Sequence, residues 1–117
     1  MKNYSNASRV RFEELRGVAF GDISLAYTPI GDPYENPARA IDIFNDTDEP
    51  LLVSFDGVTP HIYCPAKSGR VYDFGANRQA SSDQLEQAKY TQAYVTASAD
   101  LPTEGGIFLG IIFASND

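Results

Sequence analysis

The sequence predicts an all-β fold, a single-domain β-sandwich or jelly-roll-like barrel of about eight strands with one short helix. Three observations carry the prediction. Apolar residues recur with a period of two through most of the chain, where a helix would need 3.6. Clusters of Pro, Gly, Asn and Asp punctuate those runs at short intervals. The 117 residues are 43% hydrophobic and 21% charged, one domain's worth with enough apolar matter for its own core.

Taken in order, Met1 to Ser8 are polar and read as an N-terminal arm, and 9–117 form the domain. Val10 and Phe12 alternate with Arg9, Arg11 and Glu13, the mark of a half-buried strand. Ile23, Leu25 and Tyr27 alternate with Asp22, Ser24 and Ala26 in the same way. Pro29 to Pro37 reads as an ordered connection, because strand patterning resumes at once with Ile41 and Ile43 opposite Ala40, Asp42 and Phe44. Leu51, Val53 and Phe55 share a face, and Ile62 with Cys64 point away from His61 and Tyr63. Between these two strands, Asp56-Gly57 matches a hairpin dipeptide whose glycine takes a positive φ without penalty. Strands over Val71 to Phe74, Tyr94 to Ser98 and Ile107 to Ala114 complete the set. The expected core is Leu51, Val53, Phe55, Ile62, Val71, Val95, Ile107, Leu109, Ile111 and Phe113, with Phe12 also at inward parity.

One segment departs from the pattern. Ala80 to Tyr90 holds no β-branched residue, and Ser81-Ser82-Asp83-Gln84 offers a capping box, so a short helix is expected there. The last strand is unusual in a different way. Ile107, Leu109, Ile111 and Phe113 form one face, while Phe108, Ile112 and Ala114 make the other apolar too. Such a strand needs cover on both sides, from within the domain or from a neighbouring subunit.

Charge and composition exclude several functions. Nine basic and sixteen acidic residues give a net charge of −7, the opposite of the basic surplus that a nucleic-acid binder uses to displace counterions. The same charge opposes casual self-association at low salt, so assembly would rest on apolar contacts and docking to a partner. The N-terminus has no secretory h-region, and no stretch approaches the roughly 20 apolar residues of a spanning helix, so a reducing, cytoplasm-like compartment and no membrane are expected. One cysteine and one histidine make neither an internal disulfide nor a zinc site.

The candidates for chemistry are few. Ser54, Asp56 and His61 supply the residue types of a hydrolase triad, but no G-x-S-x-G elbow is present, and a solvent-facing hairpin end accounts for the first two. His61 and Cys64 fall on opposite faces of a strand, and Cys64 beside Ile62 reads as a small buried hydrophobe. Asp46, Asp48 and Glu49 suggest calcium, yet lack the glycine and distal glutamate of an EF-hand loop. No phosphate loop or dinucleotide fingerprint appears. The reading is a protein with no catalytic residues, no cofactor and no metal.

At Phe20-Gly21-Asp22-Ile23-Ser24-Leu25-Ala26-Tyr27-Thr28-Pro29-Ile30-Gly31 the chain resembles a group of small virion proteins of tailed bacteriophages. The resemblance runs on through Asn36-Pro37-Ala38-Arg39-Ala40-Ile41, Asn45-Asp46-Thr47-Asp48 and Val53-Ser54-Phe55-Asp56-Gly57-Val58-Thr59. It ends with Tyr72-Asp73-Phe74-Gly75-Ala76-Asn77 and Pro102-Thr103-Glu104-Gly105-Gly106-Ile107-Phe108. It implies a non-enzymatic structural protein of the particle, assembled in the host cytoplasm as a ring at the head-to-tail connector or neck. A head decoration protein is the alternative in the same class, and a carbohydrate-binding β-sandwich module is the alternative in another. The implied partners are copies of itself and other virion proteins such as portal, capsid or tail proteins, with no specific nucleic acid. The expected subunit contacts are Phe108 and Ile112 on the second face of the last strand, with Lys2 and Tyr4 of the arm reaching a neighbour.

Overall fold

The computed structural model describes residues 9–74 and 86–115. Nine strands appear among them: β1 (Arg9–Phe12), β2 (Arg16–Ala19), β3 (Thr28–Pro29), β4 (Ala40–Asn45), β5 (Leu51–Ser54), β6 (Ile62–Cys64), β7 (Ser68–Asp73), β8 (Tyr94–Ala97) and β9 (Gly106–Ser115). They form two antiparallel sheets. One runs β1-β9-β4-β7, with β2 also on β9, and the other runs β3-β8-β5-β6. The ten-residue β9 is the spine of the first sheet. Its residues 107–112 pair with β4, while the opposite edge is shared by β2 on 106–109 and β1 on 112–115.

The alternation read from sequence places the core between the sheets. Ile41 and Ile43 of β4 lie beside Ile111 and Leu109 of β9. Leu51 and Val53 of β5 lie beside Ala97 and Val95 of β8. All these side chains are buried, as is Ile107. Phe55 and Ile62 are partly buried and pack against this core, and Phe113 is half-buried. The connection before β4 adds residues that alternation did not single out: Ile30, Tyr34 and Ala38 are buried, fixed by Ile30 N–H to Ala93 O and Tyr34 N–H to Thr91 O.

Four expectations are corrected. The helix expected over Ala80 to Tyr90 lies partly outside the described residues, and Glu86 to Tyr90 are not helical. Gln87 instead makes a two-way bridge with Ala38, at 2.8 and 2.9 Å, so its backbone groups are satisfied by a distant segment. Ile23 to Tyr27 is not a strand. A 3-10 turn spans Phe20–Asp22, and the Ser24 hydroxyl then bonds the Ala26 backbone, a local alternative to a ladder. Phe12 is exposed, because its pairing with Ile112 puts it on the outer side of the sheet, on an edge strand. Val71 is exposed too. It stands opposite Asp42 on the outer side of the sheet, and it is Tyr72, opposite Ile41, that turns inward.

Core and outer positions should therefore respond very differently. Ile111→Ala should cost about 2–5 kcal/mol, since it empties a fully buried site. Val71→Ala should stay within about 0.5 kcal/mol. Urea denaturation of both variants checks this, and equal costs would show that β7 and β9 are assigned to the wrong faces.

Candidate functional site

The residues of the triad reading do converge, in the loop between β5 and β6. Ser54 O–H donates to Asp56 Oδ1 at 2.8 Å, and Ser54 Oγ accepts the N–H groups of Asp56 and Gly57 at 3.2 and 2.9 Å. Asp56 Oδ1 also accepts from Val58 and Thr59 N–H, both at 2.8 Å. His61 Nδ1 accepts the Phe55 N–H at 3.0 Å, its ring stacks on Phe55, and its Nε2 stands 4.0 Å from Asp56 Oδ2. Hydrogen bonds from Thr59 and Val58 N–H, then from Ser54, hold the Asp56 carboxyl well below the usual carboxylate range.

This wiring stabilises a turn and does not activate a nucleophile. The Ser54 proton goes to a carboxylate, no imidazole nitrogen faces the hydroxyl, and Ser54 is fully buried, contrary to the solvent-facing hairpin end expected for it. The connection is a seven-residue loop, longer than the two-residue turn that Asp56-Gly57 suggested, because Val53 already pairs with Ile62. Gly57 does take the left-handed conformation, at φ 77°.

The other candidates are also held in structural contacts. Cys64 is buried, and burial pushes its thiol up to about 11, leaving it protonated and unreactive. Lys67 Nζ lies 3.6 Å from Asp46 and 3.4 Å from Glu104, and both Asp48 oxygens accept from Thr103. No group of three or more metal-ligating side chains converges among the described residues.

What remains is a surface. The outer side of the β1-β9-β4-β7 sheet exposes Phe12 (72%), Val10 (69%), Val71 (65%), Phe44 (41%) and Phe108 (38%). The register explains why one side collects them: Phe12 lies opposite Ile112, and Ile112 opposite Ala40. A row Gly17–Phe108–Phe44–Gly69 crosses four strands. Each terminal glycine leaves room for the neighbouring ring. A Cβ on Gly17 would sit 2.9 Å from Phe108, and one on Gly69 2.7 Å from Phe44. Phe108 and Ile112 of the expected subunit contact thus share this side, Ile112 half-buried, whereas Lys2 and Tyr4 lie outside the described residues.

At the β1 end of this side lies an open groove of about 450 Å³, lined by Val10, Val71, Ile112 and Ala114 with the charged residues Arg9, Arg39 and Asp73. Arg39 Nε is buried with no hydrogen-bond partner, an arrangement that costs about 1–3 kcal/mol until an acceptor arrives. Sequence reading missed this groove, since Arg39 is remote in the chain from Val10 and Val71. Comparison with protein-family models, curated proteins and solved structures finds no match for this chain.

Two predictions follow from the loop geometry. Gly57→Val should destabilise the fold by about 1–3 kcal/mol, because a side chain at positive φ is strained and its Cβ would press on the Tyr94 ring at 3.3 Å. An unchanged melting temperature would mean that the loop needs no left-handed residue. For Asp56, the folded carboxyl titrates below its unfolded value of about 3.9, so it contributes stability above that pH and loses it as pH falls toward the folded value. Asp56→Asn should be less stable than the parent at neutral pH, and the gap should close in acid. A gap that stays constant with pH would exclude the carboxylate as the source.

Proposed function

We propose that this chain is a non-enzymatic structural subunit that works by assembling, with the outer side of its larger sheet as the contact surface. The carrying observation is that side: five large apolar residues, three of them more than three-fifths exposed, on one sheet surface of a chain with net charge −7. Soluble monomers keep contiguous apolar patches small, and larger ones mark interaction sites. An apolar sheet surface also supplies contact area at little entropic cost, because Val, Ile and Phe side chains on a pleated sheet have few rotamers to lose.

The sequence resemblance supports a narrower form of the proposal. In it the assembly is the particle of a tailed bacteriophage, with the protein at the head-to-tail connector or neck, or else on the head as a decoration protein. Its partners are then further copies and the portal, capsid or tail proteins around them.

Sedimentation velocity tests the general form. The parent should sediment as a multi-subunit species, and Val10→Asp combined with Phe12→Asp should be monomeric with the parental melting temperature. Both residues are exposed, so the charges disturb an interface and not the core. A parent that stays monomeric at every concentration overturns the proposal. Mass spectrometry of purified particles from the producing host tests the phage form, and absence of the protein from them removes it.

A further inference from the structure

We infer that copies of this chain join edge to edge, β1 of one subunit adding to β7 of the next, so that the larger sheet runs on through both. This rests on the assembly reading above and specifies the joint between neighbours. The larger sheet ends at β1 on one side and at β7 on the other. Both strands are open to solvent: all four residues of β1 are exposed, as are Gly69 and Val71 of β7. A sheet edge is a row of backbone groups that either finds a partner strand or stays in water.

The ladders show which groups face outward. Glu13 donates its N–H to Ile111 O, in register with the β1–β9 pairs, so alternation turns the backbone groups of Val10 and Phe12 away from β9. Phe74 donates to Arg39 O, in register with the β4–β7 pairs, so those of Gly69 and Val71 turn away from β4. The outward N–H and C=O groups of these four residues have no partner among the described residues. Phe12 and Val71 also share the outer side of the sheet. An antiparallel ladder joining the two edges therefore keeps outer side with outer side.

Direction, repetition and register select a second copy as the occupant. Each strand in the order β1-β9-β4-β7 is antiparallel to its neighbour, so across four strands β1 and β7 run in opposite directions. A copy set alongside in the same orientation brings β7 antiparallel onto β1, and the alternation continues unbroken. A strand of another protein would satisfy one edge, whereas repetition of this chain satisfies both. In the register with Phe12 opposite the partner's Val71, an aromatic ring meets a β-branched side chain. A slip of two residues one way sets Arg11 against the partner's Arg70, and the other way sets Phe12 against the partner's Asp73. The two edges differ, so the contact is heterologous and propagates into a closed ring or an open filament.

Proline in an edge strand removes an outward N–H and leaves the ladder on the other side intact. Val71→Pro should therefore block the β7 edge and Phe12→Pro the β1 edge, and each should sediment as a monomer. Mixed in equal amounts they should form a heterodimer and nothing larger, since one intact edge of each kind remains to pair. Val71→Ala keeps the N–H and should assemble like the parent. Hydrogen exchange of the parent needs no variant and decides alone should a proline variant fail to fold. The Phe12 and Val71 amides should lose their fast exchange as rising concentration drives assembly. If both proline variants assemble like the parent while Val10→Asp with Phe12→Asp does not, association is face to face: this inference fails and the assembly reading stands. A mixture that stays monomeric or grows beyond a dimer overturns the inference too. So does a monomeric Val71→Ala, or exchange at the two amides that assembly leaves unchanged. A monomeric parent removes both readings.

Discussion

The structure depends on β9 being hydrogen-bonded along both edges. Ten residues long, it receives β4 on one side and β2 then β1 on the other, so strands from the start and middle of the chain are registered against its end. Over 107–112 the strand has a neighbour on each edge, and its inner residues Ile107, Leu109 and Ile111 form the floor on which the second sheet rests. Remove β9, and β1, β2 and β4 share no partner. The fold is therefore closed by its last strand, and its defining contacts are long-range.

The same strand creates the exposed apolar surface of the larger sheet. Period-two geometry obliges the residues between Ile107, Leu109 and Ile111 to point outward, and here those residues are Phe108, Gly110 and Ile112. No further layer covers them among the described residues. The two rings of the Phe108–Phe44 pair settle over Gly17 and Gly69, which lets a large apolar pair lie flat on the sheet. The side is not uniform: Asp42 stands opposite Val71 among the apolar residues, and the groove opens at the β1 end.

Around the sheets, local polar wiring does what extra core would do in a larger protein. Asn45 Nδ2 donates to the carbonyls of Glu49, Cys64 and Pro65, joining the β4–β5 turn to the end of β6. Glu13 is held by Arg16, Asn36 and the Glu35 N–H, tying the link between β1 and β2 to the segment before β4. Ser54, Asp56 and His61 belong to this set. Three residues with the composition of a triad serve as a turn clamp, because chemistry follows from which atom donates to which and not from residue types.

The sequence by itself determined the all-β class, the strands at β4, β5, β6, β8 and β9, and which of their residues face inward, because alternation is a local property of a pleated chain. It also made visible that β9 is apolar on both sides. Only the tertiary structure decided that β1 is an exposed edge, that Val71 turns outward and that Gln87 bridges Ala38 where a helix was expected, since each depends on a partner distant in sequence. The Arg39 groove belongs to the same class. It draws on β1, β4, β7 and β9 at once, and a surface assembled from four strands exists only after register has brought them side by side.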